Sequence, residues 1–212
     1  MIVQIYEIQD PHEAEICIEA GVDHIGSVLI SRETWRDPVL REVFRMTDGT
    51  AVRNCLIPLF DDADTLYMAL DYYRPDFVHF CDALTNRRGI RSDMHTFIET
   101  QAEVREKFPG VGIMRSIPVP ESVRTAPFPT LEIAHAFEPV TDIFLTDTWL
   151  EQAPVEGYIG ITGRTIDWDM AARLVSHSAI PVILAGGLSP DNVYQALLKT
   201  GPAGADSCTR TN

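Results

Sequence analysis

Short apolar runs alternate with amphipathic stretches from one end of the chain to the other. Short runs rich in Val, Ile, Leu and Phe suit strands buried on both faces. Such runs fall at residues 1–6, 22–29, 54–60, 77–80, 112–117, 142–147 and 182–185, and another begins at 203. The stretches between them carry helical spacing and start signals. Asp10-Pro11 caps a helix through Ala20, with Ala14, Ile16, Cys17 and Ala20 expected to be buried and Gly21 expected to stop it. Further helices are predicted over 38–46, 61–73, 92–108, 129–137 and 168–177. Pro58 is awkward inside a central strand, so a bulge or an early strand end is expected there. Polar loops at 31–36 and 118–127, a basic loop at 86–91 and a long loop after 147 link these elements.

The most informative stretch is Pro181-Val-Ile-Leu-Ala-Gly-Gly-Leu-Ser-Pro-Asp-Asn192. Gly186 and Gly187 lack Cβ atoms, so their amides can approach a ligand closely. Ser189 is placed to cap a helix with Pro190 as its first residue, running to about Lys199. Strand, Gly-Gly and capped helix together form an arrangement that holds a phosphate; the same letters also suit an ordinary tight turn. Strands alternating with helices imply a parallel sheet with helical crossovers. Eight strands in this length favour a closed (β/α)8 TIM barrel over an open sheet. No linker or low-complexity stretch divides the chain, so residues 1–212 are expected to form one domain. The sequence ends just past the eighth strand, with no room for an eighth helix. Either a tail is missing from this sequence, or another surface covers that strand.

Charge narrows the partners. The formal net charge of −14 argues against a nucleic-acid or anionic-membrane partner, though a locally positive site could still take a small anion. No run approaches the length of a membrane span, and no basic-then-apolar leader opens the chain. Cys17, Cys55, Cys81 and Cys208 are far apart, with no CxxC, and read as reduced thiols of a cytoplasmic protein. Neither a metal nor a cofactor is called for.

The order of motifs resembles the phosphoribosylanthranilate isomerase family, from about Gln4 to Cys208. Gly160-Ile-Thr-Gly-Arg-Thr-Ile-Asp-Trp168 is close to that family's GGTGxxFDW, and Leu184-Ala-Gly-Gly-Leu-Ser-Pro-Asp-Asn-Val193 is close to LAGGLxPxNV. Gly21-Val-Asp-His-Ile-Gly26 resembles GADxIGFVF, Ser31-Arg32 resembles SPR, and Gly204-Ala-Asp-Ser207 resembles the start of GVDVSSGVE. The resemblance implies a TIM barrel of tryptophan biosynthesis acting on a small phosphorylated sugar-like substrate, with a homodimer left open.

It also implies a reaction, the Amadori rearrangement of a phosphorylated aminoaldose to an aminoketose. That chemistry needs an acid at the furanose ring oxygen, a base at C2, a phosphate anchor and a partner for the anthranilate carboxylate. Asp147 matches the family's acid, and burial in a barrel mouth would raise its pKa. Arg32 matches the arginine that meets the substrate carboxylate. Arg115 falls at a strand-five lysine position, where a structural ion pair is the alternative. The amides of Gly186, Gly187, Ser207 and Cys208 would hold the phosphate, with Gly163 nearby. The family's Ser-Ser-Gly becomes Ser207-Cys208-Thr209 here, which loses a glycine.

Strand one departs further. The family's Lys-Ile-Cys-Gly, whose cysteine is the base, reads Gln4, Ile5, Tyr6 and Glu7. A phenol titrates near 10, so Tyr6 would need strong local cations to act as a base. Glu7 is a carboxylate, but strand alternation points it away from Tyr6 unless the strand breaks there. His79 and Cys81 in strand four are further groups that the chemistry could use. Three readings follow: an isomerase with an altered base, an enzyme acting on another sugar phosphate, or a non-catalytic phosphate-ligand binding protein. A polar mouth containing Asp147, Arg32 and a bound anion would favour an enzyme or a ligand site. A mouth plugged by Tyr6, Trp149 and Tyr158 would favour the degenerate protein.

Overall fold

Strand β1 (Ile2–Ile5) pairs in parallel with β10 (Gly204–Ser207), Ile2 opposite Gly204 and Ile5 opposite Ser207, and this pairing closes the sheet. The computed structural model describes residues 1–86, 89–121 and 128–211. The other closing strands are β2 (His24–Leu29), β3 (Arg53–Pro58), β4 (Phe77–Phe80), β7 (Gly112–Pro120), β8 (Ile143–Trp149) and β9 (Val182–Leu184). Their order around the barrel is β1-β10-β9-β8-β7-β4-β3-β2, with every neighbouring pair parallel. The crossovers carry α1 (Pro11–Glu19), α2 (Pro38–Met46), α3 (Ala63–Tyr73), α4 (Met94–Lys107), α5 (Thr130–Phe137), α6 (Trp168–His177) and α7 (Val193–Thr200). Among the described residues this is a (β/α)8 barrel without its eighth helix. A small hairpin, β5 (Thr85–Asn86) with β6 (Gly89–Ile90), occupies the expected basic loop; Arg87 and Arg88 of that loop lie outside the described residues.

Strand alternation divides the core into two layers. Tyr6, Cys55, Ile57, Met114, Leu145 and Ile183 face the barrel interior. Ile25, Leu56, Val78 and Ile113 face outward onto Leu40, Val43, Leu66, Leu70 and Val104 of the helices. The helix starts explain themselves. Asp10 and Glu13 close a capping box around α1, and Asp37, Asp62 and Asp167 accept backbone N–H bonds ahead of α2, α3 and α6.

Several expectations need correcting. Ile16 and Ala20 of the first helix are exposed; Ala14 and Cys17 form its buried contact. Helix α7 starts at Val193, not at Pro190. Asn192 ties the turn before it, accepting from the Ser189 amide at 2.9 Å and donating to the Gly187 carbonyl at 2.9 Å. Ser189 therefore belongs to the turn and does not cap the helix. Strand β7 continues to Pro120, so the expected loop begins later, and its residues 122–127 lie outside the described residues. Pairing of β7 with β4 ends at Arg115 while pairing with β8 continues to Pro120, which leaves one edge where proline's missing N–H is tolerated. Pro58 is the last residue of β3, the early strand end expected there.

Candidate active site

The C-terminal ends of the barrel strands surround a cavity of about 590 Å³. Asp147, late in β8, borders it. Its carboxylate accepts the Thr148 amide at 2.9 Å and the Ser116 hydroxyl at 3.3 Å. Burial outweighs both bonds and raises its pKa to about 6. The loop after β8 supplies that burial. Gly160 lies so close that a Cβ there would be 2.3 Å from the Asp147 Oδ2, and its φ of +90° also suits glycine. This loop reaches β4, with the Ile159 amide bonded to the Cys81 carbonyl at 2.9 Å.

Gly163, Gly186, Gly187, Ser207 and Cys208 border the same cavity. A Cβ at Gly187 would meet the Arg164 carbonyl carbon at 2.6 Å and the Thr165 nitrogen at 2.7 Å. The Gly-Gly turn and the 160–167 loop therefore pack backbone to backbone. Among the described residues the amides of Gly186, Gly187 and Cys208 donate no hydrogen bond, whereas the neighbouring Ala185 amide donates to Thr146. The result is a cup of N–H groups suited to an anion. Arg210, absent from the sequence expectations, also borders the cavity and is the cation among its described lining residues.

Tyr6 sits beneath the cavity. Its ring lies over Gly26, where a Cβ would be 1.8 Å from two ring carbons, and its hydroxyl is 2.7 Å from His79 Nδ1. Burial first, then the nearby Cys55 and Asp206, hold its phenol well above its ordinary pKa. His79 is itself shared, with Nε2 at 2.8 Å from the Ser116 hydroxyl, and burial lowers its pKa to about 3. A polar chain thus runs Tyr6–His79–Ser116–Asp147 across the barrel. Cys81 is buried and its thiol is likewise pushed up. Among the described residues the mouth is not plugged: Tyr158 lines the wall, and Trp149 packs on Phe128 at 4.9 Å.

Two arginines are not where the chemistry would want them. Arg115 is 1% exposed and points out of the barrel, because Met114 and Ser116 take the inward positions on β7. It pairs with Asp82 at 2.8 Å, donates to Gln101 at 2.6 Å, and stacks near Phe137 and Phe80. That is the structural ion pair, not a cavity cation. Arg32 is exposed on the β2–α2 loop, bonded to Glu33 at 3.1 Å, and does not line the cavity.

Two further carboxylates border the cavity: Asp206, which the sequence reading missed, and Glu7, which it brought inward only if the strand broke. Asp206 borders the cavity from β10, accepts from Gln4 at 3.1 Å, and is raised to about 8, by burial first and also by Asp147. Glu7 borders it too, because β1 ends at Ile5 and Glu7 takes a φ of +63°. A glutamate at a family glycine position was the signal for that turn.

The family model for N-(5'phosphoribosyl)anthranilate (PRA) isomerase matches residues 95–208. The chain is 28% identical, over 96% of its length and 86% of the relative's, to N-(5'-phosphoribosyl)anthranilate isomerase of Methanothrix thermoacetophila. The phosphoribosyl anthranilate isomerase structure from Thermotoga maritima superposes with a TM-score of 0.68 at 19% identity, covering 99% of this chain and 88% of that one. A further solved isomerase, in complex with reduced 1-(o-carboxyphenylamino)-1-deoxyribulose 5-phosphate, superposes with a TM-score of 0.65 at 18% identity, over 99% and 88% of the two chains. The closed barrel, the Gly-Gly cup and the matched half of the sequence agree, and this chain belongs to the phosphoribosylanthranilate isomerase family.

Proposed function

We propose that this chain isomerises phosphoribosylanthranilate to the corresponding aminodeoxyribulose phosphate, with Asp147 as the general acid. The observation that carries this reading is the Asp147 carboxyl, bordering the same cavity as a cup of amides that donate no hydrogen bond among the described residues; burial raises that carboxyl to about 6. Asp147 protonates the ring oxygen as the C1–O bond breaks and the nitrogen lone pair forms the iminium. The Gly186, Gly187 and Cys208 amides hold the phosphate, and Arg210 adds the positive charge that Arg115 does not supply. Ile30, Ile57, Leu59 and Tyr158 offer an apolar wall for the anthranilate ring. Residues 1–212 act as one domain, because the two terminal strands close one barrel. Among the described residues no helix is long and apolar enough to cross a membrane. A cytoplasmic setting suits the four free cysteines.

The test is a direct isomerase assay alongside complementation of a tryptophan auxotroph. Wild type is expected to turn over phosphoribosylanthranilate, and Asp147→Asn to lose about 10²–10⁴-fold in rate. Because the acid must carry its proton, kcat/KM is expected to fall as pH rises through about 6. An Asp147→Asn variant as fast as wild type would remove Asp147 from the reaction.

A further inference from the structure

We infer that Glu7 is the general base of this barrel, in place of the thiol that the family carries one residue earlier. The inference rests on the isomerase reading above. Residue 7 stands where the family has glycine, and its backbone has the left-handed conformation that glycine favours, with φ at +63°. A non-glycine residue held there is strained and persists only where the surroundings over-determine it. They do so here. The Tyr6 amide is fixed to the Ser207 carbonyl at 3.0 Å on one side, and the Ile8 amide to the Gly26 carbonyl at 3.0 Å on the other. The break after β1 cancels the strand alternation that would have sent residue 7 outward. Glu7 borders the cavity together with Asp147, and its carboxylate helps to oppose ionisation of the Cys208 thiol at the adjoining strand end.

The other groups in reach are committed elsewhere. The Tyr6 phenol is tied to His79, and both nitrogens of His79 are shared, with Tyr6 and with Ser116. Cys81 and Cys208 are thiols whose ionisation burial opposes, and for Cys208 the adjacent Glu7 opposes it as well. Asp206 retains its proton up to about pH 8, so near neutrality it is an acid. Glu7, exposed at the cavity rim, is the carboxylate left to accept a proton.

The step balances without any oxidant. After Asp147 has opened the ring, the Glu7 carboxylate takes the C2 proton of the iminium. The C2–H electron pair becomes the C1=C2 bond, and the C1=N pair returns to nitrogen. The enolamine then becomes the aminoketose as C1 gains a proton from the Glu7 carboxylic acid and the C2 hydroxyl gives its proton to the Asp147 carboxylate. Both groups are restored.

The test compares Glu7→Gln, Glu7→Asp and Glu7→Gly in the isomerase assay, in thermal melts and in binding of reduced 1-(o-carboxyphenylamino)-1-deoxyribulose 5-phosphate. Glu7→Gln and Glu7→Gly are expected to lose about 10²–10⁴-fold in kcat, with Glu7→Asp retaining part of the rate. Glu7→Gly, freed of the strained backbone, is expected to melt at or above the wild-type temperature while being inactive, and binding of the reduced compound to Glu7→Gln is expected to be close to wild type. A merely structural Glu7 would instead lose melting temperature and rate together in Glu7→Gly, and that pattern overturns the assignment. So does a Glu7→Gln enzyme of ordinary rate beside an inert Asp147→Asn, which leaves the isomerase reading standing. A wild-type protein with no turnover ends both.

Discussion

Asp206 shows how much one side chain's meaning depends on its surroundings. Its folded pKa is about 8, against about 3.9 for an unfolded aspartate. Between those values the native state holds a proton that the unfolded chain has released, so its contribution to stability falls as pH rises and levels off above about 8. Asp147 acts in the same direction but only up to about 6, which leaves the window from 6 to 8 to Asp206. Asp206→Asn is expected to gain melting temperature over wild type at pH 9 and little at pH 4, since the carboxamide oxygen can still accept the Gln4 amide bond. Equal shifts at the two pH values would mean that Asp206 is not protonated in the fold. The places of Asp147 and the Gly-Gly pair at the cavity were legible, the first through the family resemblance and the second because close backbone approach demands a residue type. Arg115 and Glu7 were not, since each turned on which way one position of a strand faces.

At the scale of elements, the β9–α7 turn and the 160–167 loop stabilise each other's shape. Gly187 has a φ of +59° and backbone atoms of Arg164 and Thr165 within 3 Å of where a Cβ would lie. Gly187→Ala is expected to cost roughly 1–3 kcal/mol of stability and to weaken phosphate-ester binding by pushing the two loops apart. Denaturant melts and titration with a phosphate ester measure the two effects, and an unaffected affinity would separate this turn from the anion site. Gly187→Asp should abolish binding, adding charge to bulk. The helix boundaries of α2 and α6 were readable because Asp37-Pro38 and Asp167-Trp168 are strong local start signals. The start of α7 was not, because Asn192 competes for the same turn by bonding back to Gly187 and Ser189.

For the whole molecule the dominant physical fact is a formal charge of −14 around a site for an anionic substrate. That field opposes both compaction and substrate approach. The Debye length shrinks from about 30 Å at 0.01 M salt to about 3 Å at 1 M, so screening should relieve both. Melting temperature and kcat/KM are therefore expected to rise together as KCl is raised over that range. A kcat/KM that falls steadily with salt would show that local cations such as Arg210 govern encounter, not the net field.

Periodicity and residue type alone determined the eightfold βα order, the closed parallel barrel and the glycine turn at its mouth, because each is a local consequence of burial pattern and backbone freedom. The family resemblance pointed to Asp147 as the candidate acid. Tertiary structure decided which carboxylates and cations share a cavity. Strand register turned Arg115 out to the helices, the β1 break turned Glu7 in, and the β1–β10 closure brought Ser207 beside Tyr6 across the full length of the chain. Those outcomes depend on one-residue parity and on contacts between distant segments, and neither is encoded in any short stretch of the sequence.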